Sequence, residues 1–191
     1  MNGSGKFAIS EAGIEDAAGM LSIQAEKLLP KLEGEENKPH PDGFLVYAVS
    51  ESELRGIITN KEKHIVLVSR YHGELDGYVL SYDLAEWMAL KPKWENEIKV
   101  GPEIRKKILG GRTLYLRHIA RMKQSAGEGR DLEYALFEKA KGRYDRIVCE
   151  ILETPIMNLI SINLHESVGF ARVGEIKDEK GLIWGLYLKE L

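Results

Sequence analysis

The sequence predicts an α/β (α+β) chain built around one mixed sheet. From residue 113 onward strand-like and helix-like patterns alternate. The run ends on two adjacent strand-like segments, Phe170–Ile176 and Leu182–Leu188, which form a closing hairpin. Helical links favour parallel pairing and tight turns favour antiparallel pairing, so both occur in this sheet.

At the N-terminal end, Phe7–Ser10 alternates as a short strand, and helix formers follow over residues 15–28 with Ala18, Leu21, Ala25 and Leu28 on one face. Pro30 stops that helix, and residues 34–43 have loop composition. Ser50 with Glu51 and Glu53 reads as a helix start, a hydroxyl cap followed by acids in the first turn. The helix runs through Ile58 and gives way to strands His64–Arg70 and Leu75–Tyr82, joined by a turn at 71–74. Residues 84–112 carry Trp87, Trp94, Pro92 and a helix that starts after Pro102 and stops at Gly110-Gly111. This stretch is longer than a hairpin connection needs and is read as an insertion, either a lid over a binding surface or a segment packed onto the body. Thr113–Met122 is then a strand, Lys123–Gly129 a glycine-containing loop, and Asp131–Lys141 a helix with Leu132, Ala135, Leu136 and Ala140 inward. Arg146–Leu152 is a strand and Asn158–Val168 a helix that Gly169 ends.

The chain has 191 residues, 43% apolar and 30% charged, the balance of a globular chain with a core and enough for one domain with an insertion at about 84–112. No apolar run is long enough to span a bilayer, and the first residues lack the pattern of a signal peptide, so a cytoplasmic protein with no membrane association is expected. The net charge of −3 lacks the basic excess of a sequence-independent nucleic-acid binder. A single cysteine, Cys149, excludes an internal disulfide, and inside an apolar strand it reads as packing. His40, His64 and His72 have no metal-ligand spacing, and no metal is expected.

The loop Gln124-Ser125-Ala126-Gly127-Glu128-Gly129-Arg130 lies between a strand and a helix. Unpaired N–H groups at a helix start attract anions, and glycines let backbone approach closely, so the loop suits a pyrophosphate. A phosphate loop of the Gly-x-x-x-x-Gly-Lys type is absent, and the dinucleotide fingerprint fails where Leu132 replaces its third small residue. In the later helix over 158–168, Asn158, Ser161 and His165 fall on one polar stripe, because seven residues turn through about 700°.

Gln124, Gly127 and Gly129 resemble the acyl-CoA pyrophosphate loop of the GNAT N-acetyltransferases. The segment from Asn158 through Ser161 and His165 to Gly169-Phe170 resembles the stretch that closes the cofactor site in that family. The resemblance implies a GNAT fold, a mixed and mostly antiparallel sheet split by a V-shaped cleft between the strands at 113–122 and 146–152, with helices on both faces. It implies acetyl-CoA as co-substrate, with the backbone of Ile119 and Arg121 on the pantetheine. The amides from Gln124 through Ala126, Gly127, Glu128 and Gly129 to Arg130 would hold the pyrophosphate, and Asn158 and Ser161 would contact the cofactor.

Direct acetyl transfer needs a base for the amine and an acid for the leaving thiolate. His165 stands where the family usually has a tyrosine, either as the acid or as a hydrogen-bonding wall residue. Glu153 has the family's base-to-acid spacing, Glu150 is its rival, and Tyr115 is a third candidate. Arg117 shares the Tyr115 face and suits a substrate carboxylate, whereas strand alternation sends His118 to the opposite face. The implied acceptor is a primary amine of a small molecule or peptide, and a homodimer is an open option. The alternative function is an acyl-CoA-binding module without catalysis.

Overall fold

The computed structural model describes residues 7–29, 42–122 and 129–191. Eight strands form one sheet in the order β1-β2-β3-β5-β6-β8-β7-β4. They are β1 Phe7–Glu11, β2 His64–Tyr71, β3 Glu74–Asp83, β4 Ile98–Val100, β5 Thr113–Arg121, β6 Arg146–Thr154, β7 Ala171–Lys177 and β8 Ile183–Glu190. Every neighbouring pair is antiparallel except β5–β6, so the sheet is mixed and mostly antiparallel.

One face carries α1 Ala17–Lys27, α2 Glu51–Thr59 and α3 Leu84–Leu90, packed over Val66, Val68, Tyr78, Leu80 and Tyr82. The insertion continues through α4 Trp94–Glu97, β4 and α5 Pro102–Gly110. The other face carries α6 Gly129–Ala140 over Ile65, Leu67, Val79, Leu114 and Leu116, with α7 Leu159–Ser167 beside β6.

Local chemistry explains most element ends. The Ser50 hydroxyl accepts from the Glu53 N–H, the side-chain cap expected for α2. The β2–β3 turn has positive φ at both His72 (53°) and Gly73 (90°), the left-handed pair that matches the twist of a tight hairpin.

Three expectations change. The buried stripe of α1 is Ala17, Met20, Ile23 and Gln24, while Ala18 and Ala25 face solvent. Gln24 turns inward because its amide accepts from the Val49 N–H at 2.9 Å and donates to the Val49 carbonyl at 3.0 Å, tying α1 to the segment before α2. The 84–112 insertion adds the short strand β4 at the sheet edge against β7, which periodicity over three residues does not reveal. His118 does not leave the Tyr115 face. The β3–β5 register slips between Leu80↔His118 and Ser81↔Leu116, so Arg117 is a bulge residue and alternation restarts after it.

β5 and β6 pair only from Thr113↔Arg146 to Leu116↔Cys149, although β5 continues to Arg121 and β6 to Thr154. Beyond Leu116 the two strands part, and the sheet opens into a V.

Candidate active site

A cavity of about 900 Å³ occupies the V and reaches both faces of the sheet. From the insertion side it is lined by Tyr47, Trp87, Trp94, Tyr115, Arg117 and Glu150. On the helical side its wall includes Gly129, Asn158, Ser161, Leu164 and His165. Ile119, Arg121 and Cys149 also line it.

On the insertion side, Glu150 is held by its neighbours. The Trp94 indole N–H and the Tyr115 hydroxyl, the latter at 3.0 Å, both donate to Glu150 Oε1. Burial raises the carboxyl above its ordinary range, while the Trp94 donor, the charge of Arg117 and the Tyr115 donor oppose the rise. Burial, with the nearby Glu150 charge, holds the Tyr115 phenol well above its ordinary value, so the hydroxyl keeps its proton. Trp87 stacks on Tyr115, and the Arg117 guanidinium lies 4.8 Å from the Trp87 ring and 5.8 Å from the Tyr47 ring. Trp87 and Trp94 are both buried and both line the cavity, so the insertion packs onto the body and walls the site at once. Asp178 accepts from the Tyr47 hydroxyl at 3.0 Å and the Trp184 indole N–H at 3.2 Å, tying the residues before α2 to the β7–β8 turn.

His118 is buried against the same wall. Its Nε2 donates to the Tyr47 carbonyl at 3.0 Å, and Nδ1 sits 3.3 Å from the Tyr78 hydroxyl. Burial and the Arg117 charge push its pKa down to about 3, so the ring is neutral.

Across the V, the polar stripe of α7 faces the cavity. Asn158 caps the helix by accepting from the Ser161 N–H at 3.3 Å, and its amide donates to the Phe44 carbonyl at 2.9 Å. His165 Nδ1 is 2.7 Å from the Ser161 carbonyl and 3.4 Å from Ser161 Oγ. Its Nε2 lies 3.4 Å from Glu133 Oε1. Glu133 is absent from the sequence-based candidates. It is fully buried on α6, one position after Leu132 on a stripe broadened by Phe137. A glutamate next to that stripe was the only available sign, and it reads equally well as an exposed flank. At Gly129, where α6 begins, a Cβ would come within 3.0 Å of Leu164 on α7.

Glu153 lies elsewhere. Arg172 grips its carboxylate at 2.8 and 2.7 Å, the Tyr187 hydroxyl donates to it at 3.1 Å, and it does not line the cavity. Arg121 lines the cavity while its guanidinium pairs with buried Asp76 at 2.6 Å. Gln124, Ala126, Gly127 and Glu128 lie outside the described residues. Among the described residues no cluster of histidine, cysteine or carboxylate side chains has the makings of a metal site, and no helix is long and apolar enough to cross a membrane.

Solved structures share this architecture over nearly the whole chain. A GNAT-family acetyltransferase from Streptococcus pneumoniae superposes with a TM-score of 0.61 at 16% identity, covering 97% of this chain and 100% of that one. The chain has the GNAT acetyltransferase fold. The ribosomal-protein-alanine N-acetyltransferase of Brucella melitensis gives a TM-score of 0.62 at 19% identity over 96% of this chain and 99% of that one. A Salmonella typhimurium protein described as a candidate acetyltransferase, solved with its cofactor acetyl-CoA, gives 0.62 at 18% over 97% and 94%. No family model and no curated protein sequence matches the chain.

Proposed function

We propose that this GNAT-fold chain is an acetyl-CoA-dependent N-acetyltransferase of one catalytic domain, acting on a primary amine of a small molecule or peptide. The observation that carries the reading is the cavity through the β5–β6 splay, with a buried carboxylate on one side and a helix start beside a polar helix stripe on the other. Agmatine N-acetyltransferase, matched at a TM-score of 0.62 and 9% identity, and the alanine-modifying enzyme above act on amines, which supports an amine acceptor.

The residues fit acetyl-CoA. The start of α6 at Gly129 and Arg130 offers backbone N–H groups to a pyrophosphate, with Gln124 to Glu128 leading into it. Ile119 and Arg121 present backbone on the β5 side of the V, and Asn158, Ser161 and His165 face the cavity from α7. Acetyl-CoA supplies the activated acyl group as a thioester. Glu150 takes the proton from the attacking amine, and a pKa raised by burial makes it a stronger base than an ordinary carboxylate. Tyr115 and Trp94 aim Glu150 through Oε1 and leave Oε2 for the acceptor. Arg117 offers its charge to an anionic group of the acceptor. Glu153, bound to Arg172 away from the cavity, is the weaker base candidate.

The test is a thermal melt with acetyl-CoA, CoA, NAD and ATP in parallel, followed by an amine panel. Ligand at about 100 times its dissociation constant adds roughly 2.7 kcal/mol, a shift of several degrees at this size. Stabilisation by acetyl-CoA and CoA alone, with turnover on an amine, is expected. A shift with NAD or ATP only overturns the reading, and tight acetyl-CoA binding without turnover returns the inactive module.

A further inference from the structure

The Glu133 carboxyl is fully buried on α6, and among the described residues neither oxygen has a hydrogen-bond partner that satisfies standard geometry. His165 Nε2 lies 3.4 Å from Oε1 across the α6–α7 contact. An isolated buried carboxylate costs several kcal/mol or more, so this group must be protonated or paired. Hydrogen-bond logic chooses between these. The Ser161 carbonyl can only accept, so His165 Nδ1, 2.7 Å from it, carries the hydrogen. In a neutral ring Nε2 is then an acceptor, and the hydrogen between it and Oε1 belongs to Glu133. Burial pushes His165 down to about 4 and Glu133 up to about 8, in agreement with two neutral partners at pH 7.

Beneath α6 the core side chains of β2, β3 and β5 are Ile65, Leu67, Val79, Leu114 and Leu116, and the buried hydroxyls of Ser69 and Ser81 lie on the same strands, that of Ser81 donating to the Ile65 carbonyl. β6 contributes the Cys149 thiol, which burial holds protonated, and α7 contributes His165. On the far side of the imidazole, Ser161 Oγ is 3.4 Å from Nδ1, and Ser161 lines the cavity. Contacts of this length tighten when a reacting complex forms.

We propose that Glu133, His165 and Ser161 form a proton relay that supplies the leaving thiolate, with Glu133 as a buried proton store acting through the other two. The proposal rests on the acetyltransferase reading. As the amine nitrogen bonds to the acyl carbon, the carbon–sulfur bond breaks and its electron pair goes to sulfur. Ser161 Oγ gives its proton to that sulfur, the ring turns its Nδ1–H from the Ser161 carbonyl to Oγ and passes that proton on, and the Glu133 proton moves to Nε2. The ring ends as the opposite tautomer, and the negative charge ends on Glu133. Solvent resets the store after product release.

The test uses Glu133→Gln and Ser161→Ala in the full chain. Glutamine keeps a donor toward Nε2 but has no proton to surrender. Each variant is expected to lower kcat about 100-fold while KM for acetyl-CoA stays within about twofold. The free protein gives a second readout, nitrogen-15 NMR of its histidines. His165 should be neutral with hydrogen on Nδ1 at pH 7, and its Nε2 signal should move as the pH rises through about 8 in the parent chain and stay still in Glu133→Gln. An imidazolium at pH 7, or an Nε2 signal that ignores Glu133, overturns the relay whether or not any amine turns over. Unchanged kcat in both variants overturns it while the acetyltransferase reading stands. A parent chain that acetylates no amine removes that reading, and the NMR result still decides the Glu133–His165 pairing.

Discussion

The Trp87 indole lies face to face on the Tyr115 ring, with centroids 4.2 Å apart and planes 8° apart, and the Tyr115 hydroxyl donates to Glu150. The insertion therefore reaches the candidate base twice, through the Tyr115 ring under Trp87 and directly through the Trp94 indole of α4, which meets Tyr115 edge-on. Replacing Trp87 with Ala removes a buried aromatic whose loss costs about 3–5 kcal/mol in a well-packed core. A fall in melting temperature on the order of 10 °C is expected. A fall under about 2 °C would show that the insertion does not clamp Tyr115.

Glu150→Gln keeps the shape and the acceptor for Trp94 and Tyr115 but removes the base. Steady-state kinetics should show kcat lower by about 10²–10⁴, with acetyl-CoA affinity measured by calorimetry unchanged. Trp94→Phe removes a donor that favours the ionised carboxyl, so the acid limb of kcat/KM against pH should move to higher pH. A limb that stays in place would assign the base elsewhere.

Stability should carry the mark of Glu133. Its carboxyl is raised from 4.5 to about 8, so the folded chain holds a proton that the unfolded chain releases. That contribution is complete below about pH 4.5 and declines as the pH rises to about 8. His165, lowered from 6.5 to about 4, gives the opposite slope, which ends near pH 6.5. Urea midpoints should therefore fall between pH 6.5 and 8 in the parent chain, and less steeply in Glu133→Gln. Equal falls would place the carboxyl at its ordinary value.

The Gln24 amide makes two hydrogen bonds to the Val49 backbone from a buried position. Gln24→Met retains the volume and strands both backbone groups, at about 1–3 kcal/mol each. A melting temperature lower by several degrees is expected, and an unchanged one would show that water replaces the amide.

Gly129→Val drives a side chain into Leu164 at the α6–α7 contact. Overpacking of this kind costs about 1–3 kcal/mol, and the displaced helix start should weaken acetyl-CoA binding in a calorimetric titration. Intact affinity would separate the α6 start from the cofactor site.

The sequence by itself determined the kind and order of most elements, because their signals are local. Alternation marks β5 and β6, a hydroxyl cap marks α2, Gly169 marks the end of α7, and the short segment at 71–74 marks the β2–β3 turn. It also placed Asn158, Ser161 and His165 on one stripe, since helical spacing alone decides which side chains share a face. Only the tertiary structure decided which way several of those faces turn. The α1 stripe was rotated by two hydrogen bonds to Val49, 25 residues away in sequence. A slip in pairing with β3 put His118 on the Tyr115 side, and no periodicity within β5 encodes it. The same limit hid Glu133. Its burial depends on α7 packing against α6, and its partner His165 is supplied by a helix that lies beyond β6 in the chain. Periodicity describes one segment at a time, whereas burial and pairing are properties of two segments brought together, and the candidate site is built at such meetings.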